Sequence, residues 1–253
     1  MATFLLLSRL QTGDDEMIIE ELNKLKQVMT AQMQRNDLVA NNLANLNSRG
    51  FKKDQTFFDI LKTADESRLQ LTTKTDFSQG TLENTQNPLD LAISGRGFFV
   101  VETEQGERLT RNGHFTVNQD GFLSDSNGNM ILGHGGKIFL ALDNHPPTAI
   151  NICEDGRIFL DNQYIDQLKI VDVENYDVLK KASSNAFKVE AGNSIIDIEN
   201  PCVLQGNLEN SNVNSIDEMV SLIEIQRQFE SSQRVLKTID NALKRAANSI
   251  SKV

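Results

Sequence analysis

Cysteine is scarce, tryptophan is absent and long apolar runs are missing, and each gap closes off a class of protein. The two cysteines, Cys153 and Cys202, stand 49 residues apart. No CxxC or Cys/His spacing accompanies them, so a zinc-type centre has no ligand set. They read as two free buried thiols, with a disulfide left open. No apolar run approaches the roughly 20 residues that a helix needs to cross a bilayer. The run Phe4 to Leu7 is too short for a signal-peptide core, has no basic lead and is followed by no small-residue cleavage site. The chain therefore reads as cytoplasmic, unless it leaves the cell by a route that needs no cleaved signal. A net charge of −10 without a basic stripe argues against nucleic acid as a partner.

The residues of catalysis are also missing. Gly95-Arg96-Gly97 lacks a third glycine and does not lead into a helix, so the dinucleotide fingerprint fails. No Walker lysine follows a glycine cluster. The three histidines, His114, His134 and His145, show no i, i+2 or i, i+4 spacing that would hold a metal. No serine sits in a nucleophile elbow. The sequence therefore predicts no enzyme, no cofactor site and no metal site.

What is present lies mostly at the two ends. Ile18, Leu22, Leu25, Met29, Gln32, Asn36, Val39, Leu43 and Leu46 step by four and three without a break. This predicts a helix over 17–47 with an apolar seam, ended by Gly50 in a left-handed turn. Residues 1–16 read as a leader of uncertain status, because Gly13 and the acidic run after it should break a helix. At the other end Phe229, Ser232, Leu236, Ile239, Leu243, Ala246 and Ile250 form a second seam. Val213, Ile216, Val220 and Ile223 begin that helix on a slightly rotated face, and Ser215 with Glu218 forms a capping box that opens it. Five asparagines crowd the last turns of the first helix: Asn36, Asn41, Asn42, Asn45 and Asn47. A buried Asn in a seam demands an amide partner and so fixes register. A lone seamed helix cannot bury its stripe. Two arrangements remain open: a closed hairpin supporting one domain, or a seam completed by other copies.

The middle has a different rhythm. After a linking arm over 54–88, read as amphipathic or irregular up to about Gln70 and extended beyond Thr72, the pattern turns to period two at Leu89. Gln105-Gly106, Asn112-Gly113, Asp120-Gly121, Asn127-Gly128 and Asp155-Gly156 supply hairpin-type turns between short apolar runs. Pro146-Pro147 marks a loop between two halves. An antiparallel β domain over 89–200 follows, with an extended segment and the last helix over 201–253. Charge divides along the same lines. Residues 1–53 carry seven basic and six acidic side chains, residues 211–253 six and five, and residues 54–210 twelve and twenty-four. Near-neutral ends can pack densely, whereas the acidic middle stays solvated and repels its like. The fold class is α+β: long N- and C-terminal coiled-coil-type helices flanking an inserted antiparallel all-β domain.

Three stretches carry a resemblance. Ala40-Asn41-Asn42-Leu43-Ala44-Asn45-Leu46-Asn47-Ser48-Arg49-Gly50-Phe51-Lys52 resembles the N-terminal signature of the bacterial flagellar rod and hook proteins. Gly95 to Val101, Leu109 to Phe115 and Asp120 to Leu123 are similar to the β-domain signature of that family. Gln205 to Asn214, continuing to Glu230, resembles its C-terminal signature. Family members usually have Tyr where this chain has Leu109 and Phe229, which loses a hydroxyl but keeps the packing. The resemblance implies an axial subunit of the flagellar basal body, on the periplasmic rod, exported uncleaved by the flagellar type III apparatus. It implies copies of itself and neighbouring rod and hook proteins as partners, with the terminal helices building a tube that transmits torque and lines the export channel. The single modest β domain resembles a rod subunit more than a hook subunit, and leans to the proximal type. The implied assembly interface comprises Leu22, Leu25, Met29, Asn36, Asn42, Leu43, Asn45 and Leu46 on the first helix, and Val220, Ile223, Phe229, Leu236, Ile239 and Leu243 on the last. The alternative is a soluble ligand-binding β module with a closed helical hairpin.

Overall fold

The computed structural model describes the backbone of residues 2–62, 67–140, 149–190 and 194–250, and the side chains of 22–57, 72–140, 149–190 and 194–245. The Pro146-Pro147 loop and His145 lie outside the described residues, as do the side chains of Ile18, Ala246 and Ile250. The chain divides into two compact units. One comprises Met1–Leu43, Asp54–Thr73 and Ser215–Val253; the other comprises Ala44–Lys53 and Lys74–Asn214.

The first unit is built on two helices, α1 (Ala2–Ala44) and α2 (Ser215–Ile250). The start of α2 falls where the capping signal placed it. α1 is longer than the sequence pattern predicted, because it continues upstream through Gly13. One glycine inside a helix costs only about 1 kcal/mol, which the flanking turns of helix-forming residues outweigh. The helices run antiparallel. Asn42 Nδ2 lies 3.4 Å from Glu218 Oε2, and Ser232 Oγ donates to Gln32 Oε1 at 3.4 Å. Each helix turns one stripe inward. On α2 the stripe is Glu218, Leu222, Ile225, Phe229 and Ser232, with Ile225 only 2% exposed. On α1 it includes Val39 and Asn42, both buried. Burying an Ile side chain is worth about 1.5–3 kcal/mol, so a few such residues decide whether the pair holds. On the polar side, Lys244 Nζ meets Asp240 at 2.8 Å across one turn.

The described parts of the arm over 54–75 are neither helical nor irregular. Asp54–Lys62 and Ser67–Thr75 are strands forming a two-stranded sheet of their own. The sequence hid this because Phe57, Phe58, Ile60 and Leu61 fit a helical stripe as well as a strand, and periodicity cannot separate the two over so short a run.

In the second unit, a ten-stranded antiparallel sheet is centred on Phe98–Thr103. That strand pairs with Gly106–Thr110 along one edge, and with Met130–Gly133 and Ile170–Val173 along the other. Its first four residues are all apolar because the sheet is covered on both faces. Alternate side chains point to opposite sides of a strand. Phe99 and Val101 therefore enter one core with Phe115, Ile131 and Ile158, whereas Phe98 and Val100 enter another with Leu109, Val171 and Phe187. Phe99 meets Phe115 edge to face at 5.2 Å, a favoured aromatic geometry. A three-stranded sheet (Ile150–Ile152, Arg157–Leu160, Gln163–Gln167) and two short pairs complete the unit. The pairs join Leu91–Ile93 to Val203–Gln205 and Leu82–Asn84 to Asn207–Glu209, so the approach to α2 is stitched onto the two strands that precede Phe98–Thr103 in the chain.

Most of the predicted turns are where the glycines put them, and Gly106, Gly121, Gly128 and Gly156 all adopt positive φ. Asn112-Gly113 is an exception. Gly113 sits in close contact with the neighbouring strand: a Cβ there would lie 1.6 Å from Leu91 O. This glycine is required by space, not by a turn. The cysteines are free, as expected, but not buried: Cys153 is half-buried and Cys202 exposed. They flank a turn and a strand end, not a core position.

Candidate assembly site

Three segments distant in sequence meet in the β unit around one carboxylate. Glu209 is 1% exposed, Lys52 0% and Arg111 4%. Glu209 Oε1 accepts from Lys52 Nζ at 2.5 Å and from Gly80 N at 3.0 Å, and Oε2 accepts from Arg111 Nη1 at 3.3 Å. Lys52 Nζ also donates to Ser78 O at 2.6 Å. Arg111 reaches the carbonyls of Ile93 at 3.2 Å and Gly95 at 2.5 Å, with its guanidinium 5.4 Å over the Phe98 ring. Burial pulls the basicity of both Lys52 and Arg111 below their ordinary values, and the Glu209 charge opposes it. A buried ion pair depends on partners for its remaining donors and acceptors; backbone carbonyls and Gly80 N supply most of them here, and Arg111 Nε is left without one.

Around this charge cluster the chain ends are tied down. Gly50 N donates to Glu209 O at 2.7 Å. Gly50 has φ of 66°, and an added Cβ would meet Arg111 C at 2.4 Å, so only glycine can bring this segment so close. Arg49 binds Glu83 at 2.6 Å and also reaches Asn210 Oδ1. Asn212 Oδ1 accepts from Lys53 N at 2.8 Å, while its Nδ2 donates to Asp76 O at 2.8 Å. Such a cluster holds segments together; its polar atoms face one another and not a cavity. Among the described residues no group of His, Cys, Asp and Glu could hold a metal. None of the described helices is long and apolar enough to cross a membrane.

The sequence-predicted interface residues fall into four sets. Leu22, Leu25, Met29, Asn36 and Leu43 on α1, with Phe229 and Ile239 on α2, are half-buried on the inward stripes. Asn42 is 2% exposed and is engaged within the chain: its Nδ2 donates to Asp54 O at 2.9 Å and its Oδ1 accepts from Asp54 N at 3.0 Å. Asn45 and Leu46 belong to the β unit, where Asn45 Oδ1 accepts from Ser48 Oγ at 3.1 Å. Val220 and Ile223 face outward, 50% and 49% exposed, and Leu236 and Leu243 are 37% and 38% exposed. Sequence reasoning missed Leu222 and Ile225 as inward residues of α2. It quoted Lys52, Arg111 and Glu209 within motifs without giving them a role. Their one sequence signal is that each sits inside one of the three signature stretches.

Comparison with known proteins gives the same outline. Residues 92–160 match the family described as flagellar hook protein FlgE/F/G D1 domain. Residues 204–250 match flagellar basal body rod FlgEFG protein C-terminal. The flagellar basal-body rod protein FlgF of Caulobacter vibrioides is 30% identical over 227 residues, covering 86% of this chain and 91% of the relative. The flagellar basal-body rod protein FlgG of Bacillus subtilis is 30% identical over 245 residues, covering 84% and 92%. FlgG of Borreliella burgdorferi is 32% identical over 257 residues, covering 87% and 94%. Two terminal helices around an inserted β unit, with these matches, define an axial protein of the bacterial flagellum. The chain belongs to the flagellar basal-body rod protein family and is a structural subunit of the rod. Relatives named FlgF and FlgG match at the same level, so the similarity does not divide the two.

Proposed function

We propose that copies of this chain assemble through α1 and α2, packed as coiled coils, into the wall of the rod. The subunit leaves the cytoplasm uncleaved through the flagellar type III export apparatus and takes its place in the periplasm. There it works mechanically, passing torque along the axis and leaving a channel for later exports; it catalyses nothing. The observation that carries this reading is the apolar surface near the start of α2: Ile216, Met219, Val220 and Ile223 adjoin on one side of the helix and are 49–70% exposed. Contiguous exposed apolar side chains of this kind mark interaction surfaces. A Val220→Asp chain provides the test. Basal bodies isolated from cells carrying it should lack the subunit, while the purified chain keeps the β-unit circular dichroism. Normal incorporation of that variant would sink the reading.

A further inference from the structure

α2 carries apolar stripes on two opposite sides, and the second stripe has its own charge and register. At 3.6 residues per turn, Ile216, Val220 and Ile223 lie about 150° around the helix from Leu222, Ile225 and Phe229. The second set faces α1 of the same chain. The first set is 49–70% exposed, with Met219 beside it at 50%. This outward stripe is flanked by acid: Asp217 and Glu224 lie beside it, and residues 215–224 hold no basic residue. The complementary charge lies on α1. Residues 22–36 hold Lys24, Lys26 and Arg35 and no acidic residue. The outward side of that stretch presents Lys26 and Met33, the latter 57% exposed.

Within one chain these two stretches do not meet. The contacts Asn42–Glu218 and Gln32–Ser232 fix the antiparallel register, which places Val220 opposite about residue 41. Residue 29, the middle of the basic stretch, is 12 positions further along, or about 18 Å at 1.5 Å per residue. We propose that the outward stripe of α2 (Met219, Val220, Ile223 and Glu224) docks on the outward side of α1 around Lys26 and Met33 of a second copy of this chain, displaced along the helix axis. The contact joins two different surfaces. A heterologous contact of this kind propagates into an open filament instead of closing as a dimer. Flexible Met33 and Met219 suit a seam that must tolerate small changes in angle. The inference rests on the rod-subunit reading and names which faces meet in it.

The test uses full-length chains in which Cys153 and Cys202 are replaced by serine. A Met33→Cys chain and a Val220→Cys chain are expressed together, and isolated basal bodies are treated with a short bifunctional thiol reagent. A mixed two-chain product is expected, with a yield at least tenfold above that from either chain alone. If both chains are incorporated and no mixed product forms, the proposed contact is wrong although the rod reading stands. If the unsubstituted chain is itself absent from basal bodies, both fail. Charge reversal covers the case in which the cysteine chains do not incorporate. Lys26→Glu and Glu224→Lys should each lower incorporation about tenfold, and the two together in one chain should restore it to within about twofold. A combined variant no better than either single one overturns the proposal.

Discussion

Lys52 and Glu209 stand 157 positions apart in the sequence and 2.5 Å apart in the fold, both shut off from solvent. The pair binds the segment after α1 to the segment before α2 inside the β unit, and Arg111 takes the second carboxylate oxygen. Four expectations follow from this and the neighbouring contacts.

Glu209→Gln keeps the shape and removes the charge. Lys52 and Arg111 would then be buried without a counter-ion, and breaking a buried pair in this way costs about 3–5 kcal/mol. Urea denaturation followed by β-unit circular dichroism should show a midpoint far below that of the parent chain. An unchanged midpoint would mean that water reaches the cluster.

Gly113→Ala places a methyl group where Leu91 O already lies, 1.6 Å away. The strands must separate, at a cost of about 3 kcal/mol or more. Thermal unfolding measures it directly, and a loss under about 1 kcal/mol would show that the two strands part easily.

Ile225→Ala opens a cavity in the helix pair and not in the β unit. Large-to-small changes at buried Ile cost about 2–5 kcal/mol. Hydrogen exchange should accelerate in α1 from residue 22 onward and in α2, while the strand Phe98–Thr103 keeps its protection. Uniform acceleration in both units would show that they unfold as one.

Glu83 gives a modest acid sensitivity. Arg49 and Asn210 hydrogen-bond its carboxylate and hold it below the usual 4.5. The folded state therefore binds this proton more weakly than the unfolded state does. Its contribution is complete above about pH 4.5 and disappears as pH falls through the depressed value. Because the group is exposed, the effect is small. A Glu83→Gln chain should be slightly less stable than the parent at neutral pH and equally stable at the acid end of a urea series. A difference that persists at low pH would point to lost packing instead.

Much of this architecture could be read from the sequence because it is written at short range. The four-three steps from Leu22 to Leu43 gave α1 its inward stripe, and the Asx-Gly pairs gave the hairpins of the β unit. The acidic middle set off the inserted unit from its neutral flanks. What escaped was decided at long range. Leu222 and Ile225 face inward because α1 lies against them, and α2's own pattern offers Val220 and Ile223 as an equally good stripe. The strand Asp54–Lys62 is settled by its partner strand Ser67–Thr75. Burial of Lys52, Arg111 and Glu209 depends on chain closure across more than half the sequence, and no local periodicity records that.

Lys53 and Asn212 are joined by a 2.8 Å hydrogen bond, so the two segments by which the chain leaves the β unit, before Asp54 and before Ser215, lie side by side. Loop-closure entropy changes only slowly with the length enclosed. Loops elsewhere in the β unit can therefore be enlarged, trimmed or exchanged while these two segments keep their places. The arrangement gives lineages a way to restyle the lobe without redesigning the shaft.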